Sequence, residues 1–119
     1  MNNEKIYDLK KRTFVFSLEI IRLLKTFERS YVADVIGKQL LRCATSIGAN
    51  IVEAQSAPSK KDFANFFNIS LKSANETLYW LSLLKHSGIG KKDKIDQPIS
   101  ETQEICKIIA KSLITMRGK

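Results

Sequence analysis

The sequence predicts an all-α protein: an antiparallel up-down-up-down bundle of four helices, forming one domain over residues 1–119. Three observations predict it. Apolar residues recur at steps of three and four along most of the chain, the period of a helix that hides one face. Five Gly and two Pro are too few for a β fold that turns about every ten residues. At 44% hydrophobic and 27% charged residues, the chain is apolar enough to fold, and 119 residues suffice for a core without disulfides or metals.

The first helix is expected over roughly Glu4–Glu28. Ile6, Leu9, Thr13, Phe16, Ile20, Leu23 and Phe27 form its inward stripe, and Phe14, Leu18 and Ile21 widen the apolar arc. Glu4 and Asp8 suit the positive end of its dipole. After a break at Arg29–Ser30, a second helix is expected over roughly Tyr31–Ser56, with Val32, Val35, Ile36, Gln39, Leu40, Cys43, Ile47, Asn50, Ile51 and Ala54 keeping the period. Gly37 and Gly48 each cost this helix about 1 kcal/mol relative to Ala, so they mark close approach by a neighbouring helix.

Ala57-Pro58-Ser59 is the clearest boundary. Pro58 stops one helix, Ser59 caps the next, and Asp62 stands where a capping box places its acid. The third helix is expected over roughly residues 60–86, with Phe63, Phe66, Phe67, Ser70, Ala74, Leu78, Leu81 and Leu84 on one face and Gly88 and Gly90 at its stop. Lys91–Pro98 reads as a polar connector. The fourth helix, roughly Ile99–Met116, carries Ile105, Ile108, Ile109, Leu113 and Met116. Short connections between helices of similar length make the up-down bundle the natural arrangement.

Composition excludes more functions than it names. Cys43, Cys106 and the single His86 are too few for a structural zinc site, and P-loop, GxGxxG and HExxH patterns are absent. His86 reads as a surface residue or a favourable charge at a helix C-terminus. The expectation is a protein without catalytic residues, metal or cofactor. The N-terminal residues carry charge throughout, with no apolar run of the kind a secretory signal needs. The uncharged stretch Cys43–Val52 is about half of the ~20 residues of a membrane span. Cytoplasmic location, with both cysteines as reduced core thiols, follows as the expectation.

Helix two breaks the plain pattern of a bundle. Arg42, Ser46, Asn50 and Glu53 share one helical stripe, and Ser73 and Glu76 on helix three are also one turn apart. These residues suit either a recognition surface of one Arg, two carboxylates and an amide, or a polar network that fixes helix register, with Arg42 paired to a carboxylate of a neighbouring helix.

Residues 39–54, QLLRCATSIGANIVEA, resemble the signature of small bacterial four-helix-bundle proteins encoded within intervening sequences of 23S rRNA genes. That signature is roughly Gln-Leu-x-Arg-Ala-x-x-Ser-Ile-x-Ala-Asn-Ile-Ala-Glu-Gly, matched here by Gln39, Arg42, Ser46, Ile47, Ala49, Asn50, Ile51 and Glu53. The resemblance continues through Phe63, Phe66 and Phe67 to Lys72-Ser73-Ala74-Asn75-Glu76, where the family tends to show Gly-Ser-x-x-Glu. Ala54 and Lys72 depart from the pattern, each standing where Gly is usual. The resemblance implies a homo-oligomeric ring, a pentamer, with no enzymatic activity. Relatives that accompany diversity-generating retroelements imply an accessory subunit that binds nucleic acid and a reverse transcriptase.

Charge gives independent support. The chain holds 20 Lys+Arg against 12 Asp+Glu, a formal net charge of +8. The densest groups are Lys10-Lys11-Arg12, Lys60-Lys61, Lys91-Lys92-Lys94 and an acid-free tail with Lys107, Lys111, Arg117 and Lys119. In an up-down bundle the turn between helices two and three shares an end with both termini, so Lys60, Lys61 and the tail are expected to form one patch. Lys10, Lys11, Arg12, Lys60, Lys61, Lys107, Lys111 and Arg117 are therefore the candidate nucleic-acid-binding residues. No aromatic-plus-basic RNA module is present, so backbone charge and shape are expected to lead. Phe14, Leu18 and Ile21, with Tyr79, Trp80 and Leu83, exceed what one core requires and are the candidate oligomer interface. The alternative expectation is a protein-interaction scaffold or accessory subunit without nucleic-acid contact.

Overall fold

The computed structural model describes residues 3–118, as four helices: α1 (Asn3–Lys25), α2 (Tyr31–Ala54), α3 (Lys60–Ser87) and α4 (Lys92–Arg117). No strand occurs among the described residues. Pairs of touching residues set the directions. Between α1 and α2, Leu24 meets Gly37 and Thr13 meets Gly48. Between α2 and α3, Arg42 meets Glu76, Ser46 meets Ser73 and Ile47 meets Ser70. Between α3 and α4, Lys85 meets Asp96 and Asn75 meets Cys106. One number rises as the other falls in every case, so each helix runs antiparallel to the next. Contacts between α1 and α4 close the bundle into a rod of 47 × 21 × 19 Å.

The core is the set of inward stripes. Phe16, Ile20, Leu40, Ile47, Ile51, Phe67, Leu81, Leu84, Ile105 and Ile109 are fully buried. Phe63 stacks on Phe67 one turn away, with centroids 4.9 Å apart. A Cβ on Gly48 would lie 3.0 Å from Thr13 Oγ1, and one on Gly37 would lie 3.3 Å from Leu24 Cδ2. These are the close approaches that two glycines inside one helix foretold. The Ser59 hydroxyl accepts the Asp62 N–H at 3.1 Å and donates to the Asp62 carboxylate at 2.8 Å, completing the expected cap.

The helix bounds differ from expectation in three places. α1 stops at Lys25, short of Glu28, because the chain turns at Thr26, whose hydroxyl donates to the Leu23 carbonyl at 2.6 Å. Phe27 remains half-buried against the opposite connection, where Gly90 adopts a φ of +77 and a Cβ would come within 2.7 Å of its ring. α2 ends at Ala54 rather than Ser56.

The larger correction is α4, which begins at Lys92 instead of Ile99, so Lys91–Pro98 is not a connector. Ile95 and Pro98 are buried and extend the row Thr102, Ile105, Ile109 and Leu113 by two helical steps. Lys92, Asp93, Lys94 and Asp96 are the exposed side of the same turns. Pro98 is tolerated there because its missing N–H would have bonded the carbonyl of Lys94, an exposed residue. In the core of α3, Thr77 takes an inward place and Leu78 is only half-buried.

Candidate functional site

The polar stripe lies along the α2–α3 seam and divides into two groups. Arg42 forms an ion pair with Glu76 and donates to the Gln39 amide oxygen at 3.1 Å. Glu76 also accepts from Trp80 Nε1 at 3.1 Å. The cross-helix pairing of Arg42 is the one that a register-fixing network requires. One turn further on, the Ser73 hydroxyl donates to Ser46 Oγ at 3.0 Å, and the Asn50 amide donates to the same oxygen at 3.0 Å. Glu53 shares the stripe by helical spacing but is exposed and stands outside both groups. Behind the stripe, Ser70 donates to the Ile47 carbonyl at 2.8 Å and Thr77 to Cys43 Sγ at 3.2 Å. Burial pushes the Cys43 thiol above its ordinary range, against the lowering effect of the Thr77 hydrogen bond, and burial raises Cys106 as well.

The candidate basic residues do not behave alike. Lys60, Lys61, Lys111 and Arg117 are exposed, and the topology brings Lys60, Lys61 and Arg117 to the end of the rod that holds the α2–α3 turn and the C-terminus of α4, with Lys111 nearly two turns in along α4. None of the four is paired with a carboxylate among the described residues. Lys119, of the same tail, lies outside the described residues. Lys10 and Lys11 sit about two turns along α1 from that end. Arg12 is turned toward α4, where Glu101 takes its Nε at 2.7 Å and its second nitrogen at 3.0 Å. That hydrogen bond raises the Arg12 pKa further, and the guanidinium is committed to its neighbour. Lys107 pairs more loosely with Glu104 at 3.5 Å.

The proposed interface residues are at the surface. Phe14 is 65% exposed, Tyr79 60% and Leu83 38%, while Leu18, Ile21 and Trp80 are half-buried. Helical spacing and the Thr13–Gly48 contact place Phe14, Leu18 and Ile21 on the outer flank of α1 toward α2, beside Leu41 and Val52. Sequence reasoning passed over Tyr7, 65% exposed and one heptad before Phe14 on the same flank. Val32 and Val35, which keep the helical period of α2, are exposed beside Leu83 on the α2–α3 side. The signal for Tyr7 was its seven-residue step to Phe14.

Among the described residues, no three His, Cys, Asp or Glu side chains gather as a metal site. No helix is long and apolar enough to cross a membrane. The class these features define is a basic four-helix bundle with a hydrogen-bonded α2–α3 seam, exposed cations at both ends, among them Lys91, Lys92 and Lys94 at the start of α4, and apolar side chains left outside the core.

The model of the 23S rRNA-intervening sequence protein family matches residues 5–111, and the chain belongs to that family. A crystal structure from Bacteroides thetaiotaomicron VPI-5482, a protein of unknown function from the S23 ribosomal protein family, is 36% identical to this chain. The match covers 88% of this chain and 97% of that one, with a TM-score of 0.79. None of the curated proteins matches this chain.

Proposed function

We propose that this protein is a non-enzymatic, cytoplasmic subunit that assembles head-to-tail into a ring and holds a nucleic-acid backbone on the exposed cations of the end that carries the α2–α3 turn. The observation that carries the reading is that Lys60, Lys61 and Arg117 at the end with the α2–α3 turn, and Lys111 nearly two turns in from it, are exposed and paired with no carboxylate among the described residues. Phosphate backbones respond to local charge density, and a ring sets several such ends side by side. The family's name refers to 23S rRNA, which makes RNA the first polyanion to test.

The exposed apolar side chains support the ring. One group, Tyr7, Phe14, Leu18, Ile21, Leu41 and Val52, flanks the α1–α2 seam. The other, Val32, Val35, Tyr79, Trp80 and Leu83, flanks the α2–α3 seam. These are adjacent sides of a four-helix rod, roughly at right angles, so docking one on the other turns each copy by roughly 70–90° and closes a ring of about four or five. A homopentamer, which the family resemblance implies, fits that rotation. The same apolar groups support a second reading, an accessory subunit that docks on another protein such as a reverse transcriptase without touching nucleic acid.

Fluorescence anisotropy with labelled single-stranded and duplex RNA tests the first reading. The logarithm of the affinity should fall linearly with log salt, and reversing Lys60 and Lys61 to Glu should weaken binding on every sequence and shallow the slope by about 0.7–0.9 per lost phosphate contact. Salt-insensitive binding, or none at low salt, defeats it. In light scattering, a mass near 13.5 kDa defeats the ring.

A further inference from the structure

The α1–α4 seam is the loosest of the four. Toward the N-terminus of α1 it opens into a groove of about 360 Å³, at the small end of the ~300–1,000 Å³ range of ligand pockets. Leu9 and Ile108 form its floor. The Ser112 and Thr115 hydroxyls on its wall donate to carbonyls of their own helix, at 2.9 Å to Ile108 and 3.0 Å to Lys111. The lining is therefore mostly carbon, and charge is confined to the rim.

That rim is not neutral. It carries Lys5, Arg12 and Lys111 against Asp8, and Glu101 already neutralises Arg12 through two hydrogen bonds. An anion on this rim needs a positive charge that no carboxylate already holds. Lys111, exposed and paired with no carboxylate among the described residues, is the cation best placed to supply it. An apolar floor with one uncompensated cation selects an apolar body bearing one negative charge, since burying that anion without a partner is costly. We propose that this groove binds a small amphiphilic monoanion, its chain or ring on Leu9 and Ile108 and its charge on Lys111. The groove lies on the flank of α1 away from Phe14, so self-association through that stripe leaves it open.

The probe is 8-anilinonaphthalene-1-sulfonate, an aromatic body with one sulfonate, titrated into the full chain with octanoate and octanol as competitors. The expected result is one probe per chain, displaced by octanoate about tenfold more effectively than by octanol. Ile108→Trp, which fills the groove, and Lys111→Glu, which reverses its charge, should each weaken the probe about tenfold, while Phe14→Ser leaves it unchanged. Lys111 is exposed, so Lys111→Glu keeps the test decisive even where Ile108→Trp disturbs folding. Ile108→Trp leaves the basic end intact, so loss of probe with RNA binding retained separates this site from the proposed function. No probe binding, equal displacement by octanol, or fluorescence lost in Phe14→Ser and kept in both groove variants overturns the proposal.

Discussion

The α2–α3 and α1–α4 seams are built from different side chains and behave as opposites. Small polar residues line the first: Ser46, Ser70, Ser73 and Thr77, with Cys43 and Ala74 among them. Their short side chains let the backbones approach, and each hydroxyl hydrogen-bonds locally or reaches a partner on the facing helix, as Ser70 does at the Ile47 carbonyl. The second is flanked by long charged side chains, Lys5, Arg12, Glu101 and Lys111. These tie the helices through Arg12 and Glu101 but hold them apart enough to leave a groove. Helix separation follows the size of the side chains at the contact. The closer seam brings two helices into tight contact, and the wider one leaves room for a ligand.

The sharpest way to break this contrast is a matched pair of truncations. Ile47 is fully buried at the α2–α3 side, and Ile47→Ala should cost about 2–5 kcal/mol by leaving a cavity that its neighbours cannot close. Ile108 is half-buried and already borders open space, so Ile108→Ala should cost less than about 1 kcal/mol. Urea unfolding at one fixed chain concentration reads both values. Equal costs would mean that the two seams are equally packed. A smaller effect comes from Ser70→Ala, which removes a buried cross-helix hydrogen bond and should cost about 1 kcal/mol in the same assay.

How much of this was legible beforehand follows the same division. Gly37 and Gly48 announced close contact because a Cβ there would crowd Leu24 and Thr13, and Pro58-Ser59 announced a cap because its chemistry is local. The polar stripe was visible by spacing, but its partition was not. Arg42 meets Glu76 and Ser46 meets Ser73 only in the register that the buried core imposes, and Glu53, on the same stripe, faces water. The start of α4 was misplaced because Pro98 and the charges around it read as a connector. The buried neighbour that makes those turns helical, Ile95, is recognised only against the other helices. The α1–α4 groove had no sequence signal at all, since its lining residues are spread over two helices at opposite ends of the chain.

The two thiols extend the comparison to pH. Burial raises both Cys43 and Cys106, so the folded protein favours the neutral thiol and the unfolded chain deprotonates first. Their contribution to stability is present below the ordinary thiol value of about 8.5 and is lost as pH rises through the folded values. Cys43→Ala should lessen that decline in urea midpoints measured between about pH 8 and 10. Iodoacetamide should label half-buried Cys106 before Cys43, which lies fully buried in the closer seam. Labelling in the reverse order would mean that the α2–α3 side opens first.

The ion pairs give the smallest effect and separate electrostatics from packing. Arg12–Glu101 is bidentate, with side chains 41% and 25% exposed. Arg42–Glu76 is wetter, at 59% and 38%. Double-mutant cycles should return about 0.2–1 kcal/mol for each pair, larger for Arg12–Glu101, and both couplings should shrink with added salt. The stronger pair then belongs to the looser seam, because closeness is set by buried carbon and short hydroxyls, not by charge. A larger coupling at Arg42–Glu76 would reverse that reasoning. It would mean that the hydrogen bonds from Arg42 to Gln39 and from Trp80 to Glu76 join the pair into a cooperative network, and that the polar stripe itself holds α2 and α3 in register.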